Sequence, residues 1–130
     1  LREPTFEPDG TRWTWTVYGP PLPSGDQIRA ASAVSFPTRA DAEANYRLHD
    51  HSKSDGHGRR LLTDIELNRL LEYAAQMSEG CNFNGRVVRS SKGADGGNWE
   101  IQWAGADNRT KHLMYTAVTK LRRSYNVLDE

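Results

Sequence analysis

Apolar and polar residues alternate along Trp13-Thr14-Trp15-Thr16-Val17, the period of a strand with one buried face. The pattern predicts a first strand over residues 12–18, with Trp13, Trp15 and Val17 side by side. Three prolines among Gly19-Pro20-Pro21-Leu22-Pro23 exclude sheet pairing there, so residues 19–26 form a loop. Alternation returns over 27–36 through Ile28, Ala30, Val34 and Phe36, and stops at Pro37. A helix over 38–49 follows at once. Thr38 is placed to cap it, Asp41 sits three residues on, and Ala42, Tyr46 and Leu48 turn toward the sheet. Residues 1–11, with two prolines, Gly10 and mixed charge, read as an extended arm.

The second half repeats the theme more loosely. Residues 49–60, with glycines, serines and little that is apolar, read as a linker or exposed loop. Thr63 and Glu66 have capping-box spacing, and Leu67, Leu70, Leu71, Ala74 and Met77 recur at helical steps until Gly80. Strands are predicted over 84–90 and 98–104, the latter with Trp99, Ile101 and Trp103 on one face, around a glycine-rich turn at 91–97. The last helix spans 109–124, its apolar stripe made of Leu113, Met114, Ala117, Val118 and Leu121. The expected class is therefore α+β, with about four antiparallel strands and three helices. It is read as one small domain over 1–130. Within it lie sub-units over 12–50 and 62–126, a linker at 50–61, and a central helix joining two strand–strand–helix units. Duplication is one account of that likeness; the other is that small α+β domains commonly contain such units.

Composition narrows the function classes. A chain of 130 residues has room for a modest core, and its four Trp and five Tyr argue against disorder. Seventeen basic and seventeen acidic residues cancel, which removes the argument from bulk charge for nucleic acid or membranes. The distribution is uneven: residues 1–80 hold nine Lys/Arg against twelve Asp/Glu, and 81–130 hold eight against five. An anionic partner would meet the second half. Cys81 is the single cysteine, which excludes an internal disulfide and favours a cytoplasmic setting. No apolar run approaches the roughly 18–20 residues of a membrane span, and no cationic segment with an apolar core opens the chain.

Catalytic constellations are weak. Cys81 follows the end of a helix, not a helix N-terminus that would activate it. There is no Gly-x-Ser-x-Gly elbow, no carboxylate pair with compelling spacing, and no Walker pattern in Ser91-Lys92-Gly93-Ala94-Asp95-Gly96-Gly97. His49, His51 and His57 fall within nine residues with Asp50 and Asp55 between them, which makes them candidate metal ligands. The run resembles the His-x-His-x-Asp-His motif of metallo-β-lactamase-like hydrolases. It departs from it at Asp55, Gly56 and His57, and the chain is far too short for that fold. Lys53 inside the cluster opposes a bound cation, so no metal and no cofactor is expected.

The last helix is the most suggestive feature. At 100° per residue, Arg109, His112, Thr116, Lys120 and Arg123 share the face opposite the apolar stripe. No acidic residue lies between Arg109 and Tyr125, and Arg86, Arg89 and Lys92 add positive charge on the preceding strand and turn. The bland reading of this face is a solvated surface whose last cations suit the helix dipole. The functional reading is contact with phosphates, with Trp side chains available for stacking where they are exposed. The expected function is thus non-catalytic binding, of nucleic acid through the basic helix and adjacent hairpin. The alternative is a protein-binding adaptor or inhibitor, as small phage or mobile-element proteins often are; a metal-dependent enzyme comes third.

Trp13, Trp15, Thr38, Ala42 and Glu43 carry two further likenesses. Segment 13–49 resembles the strand–strand–helix units of small bacterial YegP-like domains. It also resembles the arm-type N-terminal domains of tyrosine recombinases, in which a short sheet and helix bind DNA. Both likenesses cover under a third of the chain and include no functional motif, so they assign no family.

Overall fold

The structure, a computed structural model, describes residues 3–19, 23, 28–77, 83–91, 93, 96–105 and 108–128. Most of the proline loop, Gly80, Cys81 and Lys92 lie outside the described residues, so the expectations placed on them go no further. The chain is an α+β protein of three helices and eight strands among those residues, and it divides into two compact units, 1–51 and 52–130.

In the first unit, β1 (Thr5–Asp9), β2 (Arg12–Tyr18) and β3 (Ile28–Ala31) form an antiparallel sheet with β2 at the centre. Part of the expected arm is therefore a strand. Gly10 explains how: at φ 64° it takes the positive value that a type II′ turn needs at its first central position, and Asp9 then pairs with Arg12. Pro8 is tolerated because β1 is an edge strand. Beyond β3 the chain leaves the ladder and rejoins it at Phe36, which exchanges both backbone hydrogen bonds with Trp13 at 2.8 Å.

The helix α1 (Arg39–His51) starts where the Thr38 hydroxyl accepts the Asp41 N–H at 3.1 Å. It packs on the sheet through Ala42, Asn45 and Tyr46 against Trp15, which is fully buried. Tyr46 meets Trp15 edge-on at 5.2 Å, and the Trp15 indole N–H donates to Asn45 Oδ1 at 2.8 Å. Burying an indole removes about 150–250 Å² from water, worth roughly 4–6 kcal/mol before ordering entropy. The hydrogen bond adds only about 1 kcal/mol, but leaving that N–H dry and unmet would cost more. Burial drives the packing; Asn45 makes it permissible.

The second unit contains β4 (Lys53–Ser54), β5 (Arg60–Leu62), α2 (Asp64–Gln76), β6 (Gly85–Arg89), β7 (Trp99–Trp103), α3 (Asn108–Ser124) and β8 (Tyr125–Val127). Two strands occupy the stretch expected to be a linker. They are joined by a tight loop in which Asp55 N–H donates to the Arg59 carbonyl at 2.8 Å. The Asp55 carboxylate accepts the His57 and Arg59 N–H groups at 2.7 and 3.0 Å. β5 pairs antiparallel with β4 and parallel with β8, so the ladders are not all antiparallel. These strands have two or three residues each, too short to show a period in the sequence.

Thr63 and Glu66 close the expected capping box of α2, at 3.1 and 2.9 Å. Leu67, Leu70, Leu71, Ala74 and Ala75 are buried on α2, and Met114, Ala117 and Leu121 on α3. Met77 ends α2 as its C-cap and is 45% exposed, outside the stripe expected to hold it. β6 and β7 form a separate two-stranded ladder, with Val87 opposite Ile101 and Arg89 opposite Trp99. Asn68 Oδ1 of α2 accepts the outward Val87 N–H at 2.9 Å, which satisfies the middle of the free β6 edge. No helix among the described residues is long and apolar enough to cross a membrane.

Asn45→Ala should cost about 1–3 kcal/mol, because it strands the buried indole N–H of Trp15. Urea denaturation would show this, and an unchanged midpoint would mean the bond is dispensable. Asp55 gives a separate expectation. Its slight burial raises the carboxyl pKa, but the His57 and Arg59 N–H bonds outweigh that and hold it below 3.8. A lowered folded pKa stabilises above the unfolded value and is lost as pH falls through the folded one. The His57 and Arg59 amide shifts should therefore move together, with a midpoint below the ordinary aspartate value, in an NMR titration.

Candidate nucleic-acid interface

The strand period and the helix period decide what meets between β7 and α3. On β7, alternation sends Trp99, Ile101 and Trp103 to one face of the hairpin and Glu100 and Gln102 to the other. On α3, Lys111, Tyr115, Val118 and Arg122 follow at steps of four, three and four, which forms a row along one side. Together with Ile101 and Trp103 they line a groove of about 230 Å³.

One end of the groove is held firmly. Arg122 donates from Nη1 to the Trp99 carbonyl at 2.5 Å and lies over the Trp99 ring at 5.6 Å. Its own carbonyl accepts from Arg59 Nε at 2.7 Å. Trp99 is fully buried and donates its indole N–H to the Tyr125 carbonyl at 2.9 Å. The Tyr125 phenol is itself buried, and burial pushes its pKa well above the ordinary value despite the opposing charge of Arg60.

The other end is open. Trp103 is half-buried, Phe83 meets it edge-on at 5.8 Å, and Lys111 Nζ lies 5.9 Å from its ring centre. Tyr115 is 69% exposed, an unusual position for a large ring on a helix that has a core to fill. A second, larger hollow of about 460 Å³ adjoins Trp103 and is lined by Asn84, Gly85, Arg86, Gln102 and Ala104. Its polar wall is an Arg86 Nε–Gln102 Oε1 bond of 2.8 Å.

The residues expected to form a binding face fall into three groups. Arg109, His112, Thr116, Lys120 and Arg123 are all exposed on α3, about 130° round the helix from the groove row. Among the described residues no carboxylate pairs with Arg109, Lys120 or Arg123. Arg86 and Arg89 are exposed on the hairpin, but each is engaged, Arg86 with Gln102 and Arg89 with the Leu128 carbonyl. Lys92 lies outside the described residues. Helix periodicity located the outer face but not the groove. Lys111, Tyr115 and Arg122 sit on the flank between the stripe and that face. The signal available for them was the matched spacing of 111, 115, 118 and 122 beside a Trp-bearing strand.

The three candidate ligand histidines lie in different settings. The His49 ring packs against Trp15 at 4.9 Å, His51 ends α1 with an exposed side chain, and His57 lies in the Asp55 loop with its N–H bonded there. Among the described residues no group of three or more His, Cys, Asp or Glu is placed to hold a metal ion.

The chain matches no protein-family model, no curated protein and no solved structure significantly.

Proposed function

We propose that the protein is a non-catalytic nucleic-acid-binding module that uses α3 and the adjoining β6–β7 hairpin. The observation that carries this reading is the charge of α3. Five Lys/Arg and one His lie between Asn108 and Ser124, with no Asp or Glu among them. Exposed cations of one sign along a helix face can neutralise successive phosphates and release their counterions. The neutral total charge does not oppose this, because binding follows the local field. Dipole stabilisation accounts for Arg122 and Arg123 in the last turn, but not for Arg109 and Lys111 near the positive N-terminal end. Those two sit where a cation is disfavoured by the helix itself. That excess is what a phosphate partner would offset. The same reading places the protein in the cytoplasm, in keeping with its single cysteine.

Affinity for a nucleic acid should fall steeply with salt, with log K linear in log[salt]. Lys120→Ala with Arg123→Ala should weaken binding and shorten the slope by about 1.5, as each phosphate contact contributes roughly 0.7–0.9. Fluorescence anisotropy across a salt series measures both. Binding that ignores salt, or that the double substitution leaves unchanged, would remove the basic helix as the contact surface and favour a protein partner.

A further inference from the structure

We infer that the groove between β7 and α3 takes an unpaired base, which makes the ligand single-stranded nucleic acid and not a duplex. This rests on the nucleic-acid reading above and goes further by naming the strand state and the residues that distinguish it. Phosphate contacts alone do not separate single strands from duplexes; aromatic faces do. In a duplex each base face is covered by its neighbours, so only an unpaired base can stack on a protein ring.

The geometry provides such rings beside the basic helix. Tyr115 is 69% exposed and stands in the groove row, and Trp103 forms part of the opposite wall. The space between the walls is about 230 Å³, smaller than the roughly 300–1,000 Å³ of drug-sized pockets and suited to one planar ring. Lys111 Nζ lies 5.9 Å from the Trp103 ring centre, in a cation–π contact. Its flexible stem lets the ammonium swing away to a phosphate when a base arrives. Arg122 cannot move in this way, because the Trp99 carbonyl and ring hold it, so it serves as a fixed positive wall. The carboxylate nearest in sequence on β7, Glu100, projects from the other face of the hairpin and leaves the groove without an opposing acid from that strand. Exposed aromatic, mobile cation and fixed cation together fit a base with its own phosphate.

The test is anisotropy of a fluorescein-labelled oligothymidine and of a duplex of equal length, with the full chain, at one fixed salt. The single strand should bind more tightly than the duplex. Tyr115→Ala should weaken single-strand binding roughly 5- to 150-fold, the range of one lost stacking contact. Its salt slope should stay as in the parent, since no phosphate contact is removed, and Tyr115→Phe should restore affinity. Tyr115 is mostly exposed, so its truncation leaves the core intact, and circular dichroism verifies this. If Tyr115→Ala binds like the parent while Lys120→Ala/Arg123→Ala is weakened, the base site is wrong and the basic-helix reading stands. Preference for the duplex overturns the base site in the same way. If neither oligonucleotide binds, both readings fall.

Discussion

The seam between Trp99 and Arg122 ties the elements of the second unit together. Trp99 is pinned from two directions, its indole N–H on the Tyr125 carbonyl and its own carbonyl on the Arg122 guanidinium. Arg122 also covers the ring and, through its backbone, receives Arg59. One arginine thus joins strand β7, helix α3 and the turn before β5. Loss of its guanidinium would leave a buried carbonyl unmet and expose the indole face, a double penalty. The groove depends on this seam. With Arg122 fixed, the other members of its row, Val118, Tyr115 and Lys111, project toward β7 at successive turns, and the space between them is set by helix geometry.

The first unit solves the same problem with different parts. It too buries one indole completely, and it too must meet the indole N–H inside the core. There a side chain does so, Asn45 from α1, where the second unit uses a main-chain carbonyl from β8. In both, apolar burial supplies most of the energy, and one polar contact fixes the indole against its neighbouring element, α1 in the first unit and β8 in the second. Each unit also keeps a second tryptophan half-exposed, Trp13 beneath Arg39 and Trp103 beside Lys111. A cation over a half-buried ring shields its face while keeping the charge in water.

The longer elements were legible in the residues because period and caps agree there. Thr38, Thr63 and Glu66 do what their spacing implies, and the expected α3 stripe buries Met114, Ala117 and Leu121 but leaves Val118 half-buried and Leu113 exposed. What escaped was structure fixed by partners distant in sequence. β1 was hidden by Pro8 within it and Pro4 just before it, harmless on an edge, and β4, β5 and β8 are too short to carry a period. The groove was hidden for a related reason. Alternation equates Trp99, Ile101 and Trp103, and only the position of α3 buries the first and leaves the last half-open. The outer basic face needed one helix alone and could be read; the groove needed two elements and could not.

The parallel pairing of β5 with β8 has a kinetic consequence. In the first unit, consecutive strands pair and the helix follows directly, so most contacts are local. In the second, Arg60 must find Tyr125 and Leu62 must find Val127, with two helices and a hairpin between them. Closing so long a loop costs entropy before any contact rewards it, which places this pairing late in folding. Asn98 and Asn126 tie the same strand to the segment before β7: the Asn98 amide bonds to both backbone groups of Val127, and the Asn126 amide bonds to Gly96 and to the Asn98 N–H. The same three-residue strand supplies the carbonyl that receives Trp99. The second unit therefore completes its core, and with it the groove, only when its last strand docks.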